Sequence, residues 1–311
     1  MKVFEYSKKI HDESMWRNME NVQLAFIFAL VTAVFTASFQ VLVRKGREYG
    51  NALTGALIGI FVNFPILILI SFLTWEPEWF NLKAIGYFIA TGIFGTGLGR
   101  FFLFMSLHKI GVAITSPLLA SIPLFSAVFA FEILGERPNL YIWIATISVF
   151  VGCLVITFKR ENFPDWKPRY LWLPFFTILS LSIANIFRKM SLNVLPEPIF
   201  GGTVTYGSAM LTLLVLSFFL PKNIKPVFNS RKAWIAYGLC GLVNLMAFVC
   251  RWTATNYGDV TIVVPLFASS SFFALFLSSV FLRKMEHVTI WSYIGTILIV
   301  LGIVLIGVSS F

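Results

Sequence analysis

Charge is scarce in this sequence. Asp, Glu, Lys and Arg make up 12% of its 311 residues, about half the ~25% of an ordinary soluble domain, which excludes a water-facing surface over most of the chain. Acid is scarcer still in the apolar stretches, where Glu132 is the one carboxylate placed inside a hydrophobic run. The three cysteines, Cys153, Cys240 and Cys250, all lie within apolar runs, so neither a disulfide framework nor a zinc site is supported. His108 and His287 fall near the ends of such runs without metal-ligand spacing. Residues 1–21 are polar and lack the apolar core and small-residue cleavage site of a signal peptide. The strict alternation of a membrane β-barrel is missing as well.

What is present is hydrophobic length. Aliphatic and aromatic residues reach 58%. Long apolar runs lie near residues 22–43, 52–74, 84–107, 112–134, 140–158, 170–187, 199–220, 233–256, 259–282 and 288–310. Each is close to the ~20 residues that cross ~30 Å of hydrocarbon as a helix. The fold class expected is an all-α polytopic membrane protein of about ten transmembrane helices. The net charge of +10 comes mostly from Lys and Arg in short loops beside helix ends. It reads as anchoring and orientation in a lipid bilayer rather than as nucleic-acid binding.

The chain repeats itself. The stretch GVAITSPLLASIPLFSAVFAFEILGERPNLYIW from Gly111 and the stretch GDVTIVVPLFASSSFFALFLSSVFLRKMEHVTIW from Gly258 align without a gap when Pro117 is set on Pro265. Leu118, Ala120, Ser121, Phe125, Ile142 and Trp143 then fall on Leu266, Ala268, Ser269, Phe273, Ile290 and Trp291. A charged, proline-bearing linker at 159–169 separates two apolar halves. The organisation expected is a polar tail over 1–21, a first repeat over 22–158, the linker, and a second repeat over 170–311. Five helices per half is an odd number, so the second half enters the membrane from the opposite side and the repeats are inverted.

Polar side chains inside the runs are costly facing lipid and are expected to turn toward a shared interior. They are Gln40, Asn63, Arg100, Asn185, Tyr206, Asn244 and Arg251. A guanidinium at mid-membrane costs ~3 kcal/mol on insertion scales, and no mid-helix acid neutralises Arg100 or Arg251. The candidate partner is an anionic group of a substrate, against the alternative of an arginine snorkelling to the interface or bonded to helix carbonyls. Ser121 and Ser269 are further substrate-contact candidates, with helix packing as the alternative. Pro117 and Pro265 break the helical hydrogen bonding of helices 4 and 9, as ligand-facing breaks or as packing kinks. Glu132 is the candidate for proton coupling, against an end-of-helix group at the headgroups. Arg188 and Lys189 read as the basic end of helix 6, like Arg44, Lys45 and Arg47 after helix 1. The glycines Gly92, Gly95, Gly97 and Gly99 match a nucleotide fingerprint only in spacing, and close helix contact explains them better. Helices 5 and 10, almost purely apolar with Gly152, Gly295 and Gly302, are placed at the periphery, packed on neighbours or on a second copy.

These features resemble the drug/metabolite transporter superfamily, specifically its EamA-type members with two tandem EamA repeats. The resemblance rests on the helix count, the central linker and the small and apolar residues leading to Pro117 and Pro265. It rests also on the ending Leu134, Gly135, Glu136 and on the glycine-bearing last helix of each half, Gly152 and Gly302. The second half departs from that ending with Leu282, Arg283, Lys284, Met285 and Glu286, which favours a structural role for Glu136. The resemblance implies a secondary transporter of small organic metabolites, amino acids or drugs, often exported, working by alternating access with both termini cytoplasmic. The loop Lys and Arg, counted by the positive-inside rule, put both termini outside instead.

From the residues, Arg100 tilts the choice toward a solute with an anionic group; with what the resemblance implies, the expectation is a carrier of amino-acid-like or organic-anion solutes in the inner membrane of a prokaryote. Its partners are a small-molecule substrate and the bilayer, without cofactor, metal or nucleic acid, and with a homodimer through helices 5 and 10 as a candidate. The alternatives are a lipid-carrier flippase and a non-transporting receptor or scaffold. An enzyme is not expected, because no His, Asp, Glu or Cys cluster sits near one interface.

Overall fold

In the computed structural model, residues 21–39, 42–43, 49–109, 118–119, 121–158, 170–220, 225–226, 228, 230–270, 272–273, 277 and 290–310 are described. Gln40, Pro117, the tail over 1–20, the linker over 159–169 and Leu282–Glu286 lie outside them.

Among the described residues ten helices follow in order. They are α1 (Asn21–Phe39), α2 (Ala52–Leu73), α3 (Leu82–Lys109), α4 (Ile122–Leu134), α5 (Leu140–Phe158), α6 (Trp172–Val194), α7 (Pro198–Phe219), α8 (Arg231–Tyr257), α9 (Val260–Ala268) and α10 (Ile290–Ser310). Among the described residues, six stretches are long and apolar enough to cross a bilayer, in α1, α2, α3, α6, α7 and α8, and α4, α5 and α10 carry shorter apolar stretches. Polar caps mark several starts, because the first N–H groups of a helix lack internal acceptors. Asn51, Asn81 and Ser230 accept from those N–H groups at α2, α3 and α8. The outward faces stay bulky and apolar, with Phe72, Phe218 and Val308 exposed as lipid-facing groups.

The helix pairings show the duplication in space. Counting five helices on from each, α2 packs on its counterpart α7, α4 on α9 and α5 on α10, while the contact of α3 with α7 is matched by that of α8 with α2. Such a pattern is unchanged when each helix is exchanged for its counterpart, as a pseudo-two-fold axis between inverted repeats requires. Local geometry repeats too. At Ser121 and Ser269 the backbone N–H bonds three residues back, to Leu118 and Leu266.

Close approach decides two interfaces. A Cβ on Gly152 would sit 2.7 Å from the Gly295 carbonyl oxygen, and one on Gly302 would meet Val149 at 2.6 Å. Ser148 donates across the same seam to the Leu298 carbonyl at 2.8 Å. The small faces of α5 and α10 are therefore spent on each other within one chain. Gly152→Val should force these backbones apart and lower stability by about 1–3 kcal/mol, read as a lower unfolding midpoint in detergent.

The second close interface is α3 on α6 and α7. Residues Gly92–Gly99 form a π-helical stretch between two α-helical ones. Side chains there would strike Ser208 and the Thr205 carbonyl from Gly92, Ala184 from Gly95, Thr212 from Gly97 and Leu181 from Gly99. The glycines serve helix contact, and the helix wound around them delivers Arg100 at its end.

One expectation is corrected. Helix 6 does not end in Arg188 and Lys189: α6 continues to Val194, and Arg188 is 8% exposed. The polar run Ser191–Asn193 imitates a loop in sequence, yet it packs within the bundle, where Ser191 is buried and its hydroxyl donates to the Arg188 carbonyl.

Candidate functional site

α8 carries much of the interior polar surface. Asn244, Phe248 and Arg251 lie four and then three residues apart, so they share one face of that helix. Three groupings form along it.

In the first, the Tyr206 hydroxyl on α7 accepts from the Asn63 amide of α2 at 3.3 Å and from the Asn244 amide of α8 at 3.0 Å. Tyr206 and Asn63 are fully buried, and the Asn63 carbonyl oxygen has no partner among the described residues. Tyr206→Phe would leave the buried Asn63 amide and the half-buried Asn244 amide short of an acceptor, the buried one costing about 1–3 kcal/mol. The expected result is a lower unfolding midpoint with the secondary structure retained.

In the second, Arg251 donates to the Thr36 hydroxyl of α1 at 3.3 Å and lies over the Phe267 ring of α9, 5.0 Å from its centroid. Its described partners are thus neutral. Arg100, partly exposed on α3, is within electrostatic reach of Arg251.

In the third, the Ser126 hydroxyl of α4 accepts from the Asn185 amide at 3.0 Å, and the Asn185 carbonyl accepts from Arg188 Nη1 at 3.0 Å. The Arg188 guanidinium lies over the Trp252 ring at 5.4 Å from its centroid. Phe248 joins this grouping to the first, with its ring 4.9 Å from that of Tyr206 and 5.3 Å from that of Trp252. Arg188 and Trp252 were not singled out by the sequence reading. The available signal was spacing, since Arg188 is three residues beyond Asn185 and shares its helical face.

The acids are elsewhere. Among the described residues, Glu76, Glu78 and Glu197 sit in or beside helix connections, Glu132 is exposed on α4, and Glu136 and Asp259 meet at one end of the bundle. The one ion pair described joins Lys189 to Asp259 at 3.9 Å. Arg100, Arg188 and Arg251 therefore have no carboxylate within ion-pair distance among the described residues. Nor do three His, Cys, Asp or Glu side chains come together there to hold a metal ion.

The end where Glu136 lies is built from both repeats. Gly135 takes a left-handed turn (φ 70°), a conformation that suits glycine, and this stops α4 and turns the next residue across the repeat boundary. The two carboxylate oxygens of Glu136 accept the Val260 and Thr261 N–H groups at 2.9 Å each. A residue of the first repeat thus caps the first turn of α9 in the second, where the Asp259 side chain makes no capping bond. Burial raises the Glu136 carboxyl above its ordinary 4.5 and outweighs these hydrogen bonds, and the nearby Asp259 charge adds to the rise. Lys189 of α6 braces the same corner by donating to the carbonyls of Thr255 at 3.1 Å and Gly258 at 2.7 Å.

The remaining candidates have local roles in this arrangement. The Ser121 and Ser269 hydroxyls donate to carbonyls three residues back, of Leu118 at 2.6 Å and of Leu266 at 2.5 Å. Pro265 is buried within α9 and removes the donor that would bond the Thr261 carbonyl. Gln40 and Pro117 lie outside the described residues.

Comparison with known proteins agrees with this architecture. A protein of Haemophilus influenzae described as an uncharacterized transporter is 29% identical over 137 residues, 43% of this chain. The chain spans less than half of that relative, 45% of its length. A protein crystal structure superposes with a TM-score of 0.74 over 90% of this chain and 95% of the other at 17% identity, a likeness of fold. The pattern of the EamA-like transporter family matches twice, over residues 23–158 and 169–308. With a match in each five-helix half, this multi-pass integral membrane protein belongs to the EamA-like transporter family.

Proposed function

We propose that the protein is a secondary transporter that moves a small organic solute bearing an anionic group, by alternating access between its two inverted repeats. The observation that carries the reading is the set of three guanidinium groups, Arg100, Arg188 and Arg251, on helices of the bundle without a carboxylate within ion-pair distance among the described residues. At mid-membrane each such charge costs about 2.5–3.5 kcal/mol on insertion scales. A carboxylate or phosphate on the solute supplies the missing counter-charge and accepts the planar donor fork of an arginine.

Family membership supports transport as the activity, and the pseudo-two-fold pairing supplies the two exchangeable arrangements that alternating access needs. A prokaryotic inner membrane is the proposed location, supported by the bacterial source of the relative. A homodimer through α5 and α10 would use their outward faces, such as Ile147 and Val304, because their glycine faces already meet.

The test is uptake into proteoliposomes of labelled organic anions, amino acids and amines. Anions should be carried, and Arg100→Gln should raise KM for them by roughly 10- to 100-fold, the loss expected for a charged hydrogen bond. Transport of amines in preference to anions, or unchanged anion transport in both Arg100→Gln and Arg100→Lys, contradicts the proposal.

A further inference from the structure

We infer that the site takes a dianion whose negative charge is shared between Arg188, through its unpartnered Nε, and Arg251. This rests on the anion-carrier reading above and narrows its substrate class.

Arg188 is more than nine-tenths buried, and its Nη1 donor is committed to Asn185. Its Nε has no hydrogen-bond partner among the described residues, although it is shut away from solvent. With Nη1 occupied, Nε lies on the opposite in-plane edge, the side-on fork through which a guanidinium grips a carboxylate or phosphate by two parallel hydrogen bonds. The ring beneath belongs to Trp252, which is fully buried and whose indole N–H also lacks an acceptor among the described residues. A guanidinium held by an aromatic face on one side and an amide on one nitrogen, with Nε unsatisfied among the described residues, is oriented in advance for an incoming acceptor.

One negative charge does not settle the site. Arg251 is the chain neighbour of Trp252, the ring over which Arg188 lies, and has only the Thr36 hydroxyl and the Phe267 ring as described partners. A monoanion seated on one guanidinium leaves the second uncompensated. A small dicarboxylate or a phosphate monoester neutralises both.

The test uses the purified full-length protein at pH 7.5 and compares equilibrium binding of succinate, butyrate, glycerol 3-phosphate and butylamine. Succinate or glycerol 3-phosphate should bind at least roughly tenfold more tightly than butyrate, the worth of one additional charge-assisted contact. Whichever of the two dianions binds better identifies carboxylate or phosphate as the chemistry. In Arg188→Gln the advantage over butyrate should disappear, whereas Arg188→Lys should retain part of it, with the unliganded unfolding midpoint confirming that each variant is folded. If butyrate binds as tightly as both dianions, the inference is overturned while the anion-carrier reading stands. If butylamine binds and no anion does, both fall.

Discussion

Glu136→Ala should open the end of the bundle where the two repeats meet and slow transport. The carboxylate is the cap of α9, accepting the Val260 and Thr261 N–H groups, and it comes from the other repeat. Removing a helix cap costs about 0.5–2 kcal/mol. Under the alternating access proposed above, this contact between repeats is made in one arrangement only, and one to two kcal/mol changes the population of that arrangement by about 5- to 30-fold. Ala254, fully buried just before the α8–α9 turn, reports the change. In a background with Cys153, Cys240 and Cys250 replaced, Ala254→Cys should react with a thiol reagent about 5- to 30-fold faster when Glu136 is alanine. An unchanged rate would remove the latch role.

The same carboxyl gives a pH dependence of defined sign. Its pKa is raised in the folded protein above the ordinary 4.5, because burial outweighs the two N–H contacts. The folded state therefore binds the proton more tightly than the unfolded chain does. That contribution to stability is fully present below 4.5 and is lost as pH rises through the raised value. Against Glu136→Gln, which does not titrate, the wild-type unfolding midpoint should gain as pH falls across this window. A difference that runs the other way would mean that the hydrogen bonds, not burial, dominate.

Trp252→Ala should give the largest loss of stability of any substitution considered, about 3–5 kcal/mol. The ring is fully buried and packs against Phe88 at 5.6 Å and Phe248 at 5.3 Å between centroids, so alanine leaves a void that rigid aromatic neighbours cannot fill. It also removes the shelf under Arg188. Trp252→Phe keeps most of that surface and should cost less than about 1.5 kcal/mol. Thermal unfolding of the two variants in detergent separates the packing role from the indole N–H. Equal losses would mean that the N–H, rather than the ring, is what matters.

Hydrophobic length made the ten helices legible, and the Pro117-on-Pro265 register revealed the doubling, because both are properties of contiguous sequence. The site was legible only in part. Asn63, Tyr206 and Asn244 stood out as polar groups in apolar runs, and they meet on one hydroxyl. Arg188 was hidden because a basic pair followed by Ser191, Leu192 and Asn193 looks like a helix end, and only tertiary packing carries α6 on to Val194. Glu136 was legible as the end of a motif, but its partner Val260 lies 124 positions away, a distance no local pattern spans. Ser121 and Ser269 share their backbone geometry across the repeats, yet in each case the hydroxyl donates to a carbonyl three residues back in the chain.

Counterflow bears most directly on the central claim. Proteoliposomes loaded with millimolar succinate and diluted into trace labelled succinate should accumulate label transiently above equilibrium, since a carrier returns faster with its site occupied than empty. Substituting butylamine inside should remove the overshoot. Label that merely equilibrates, with or without internal succinate, would contradict a carrier that alternates its access to an anion held by arginines.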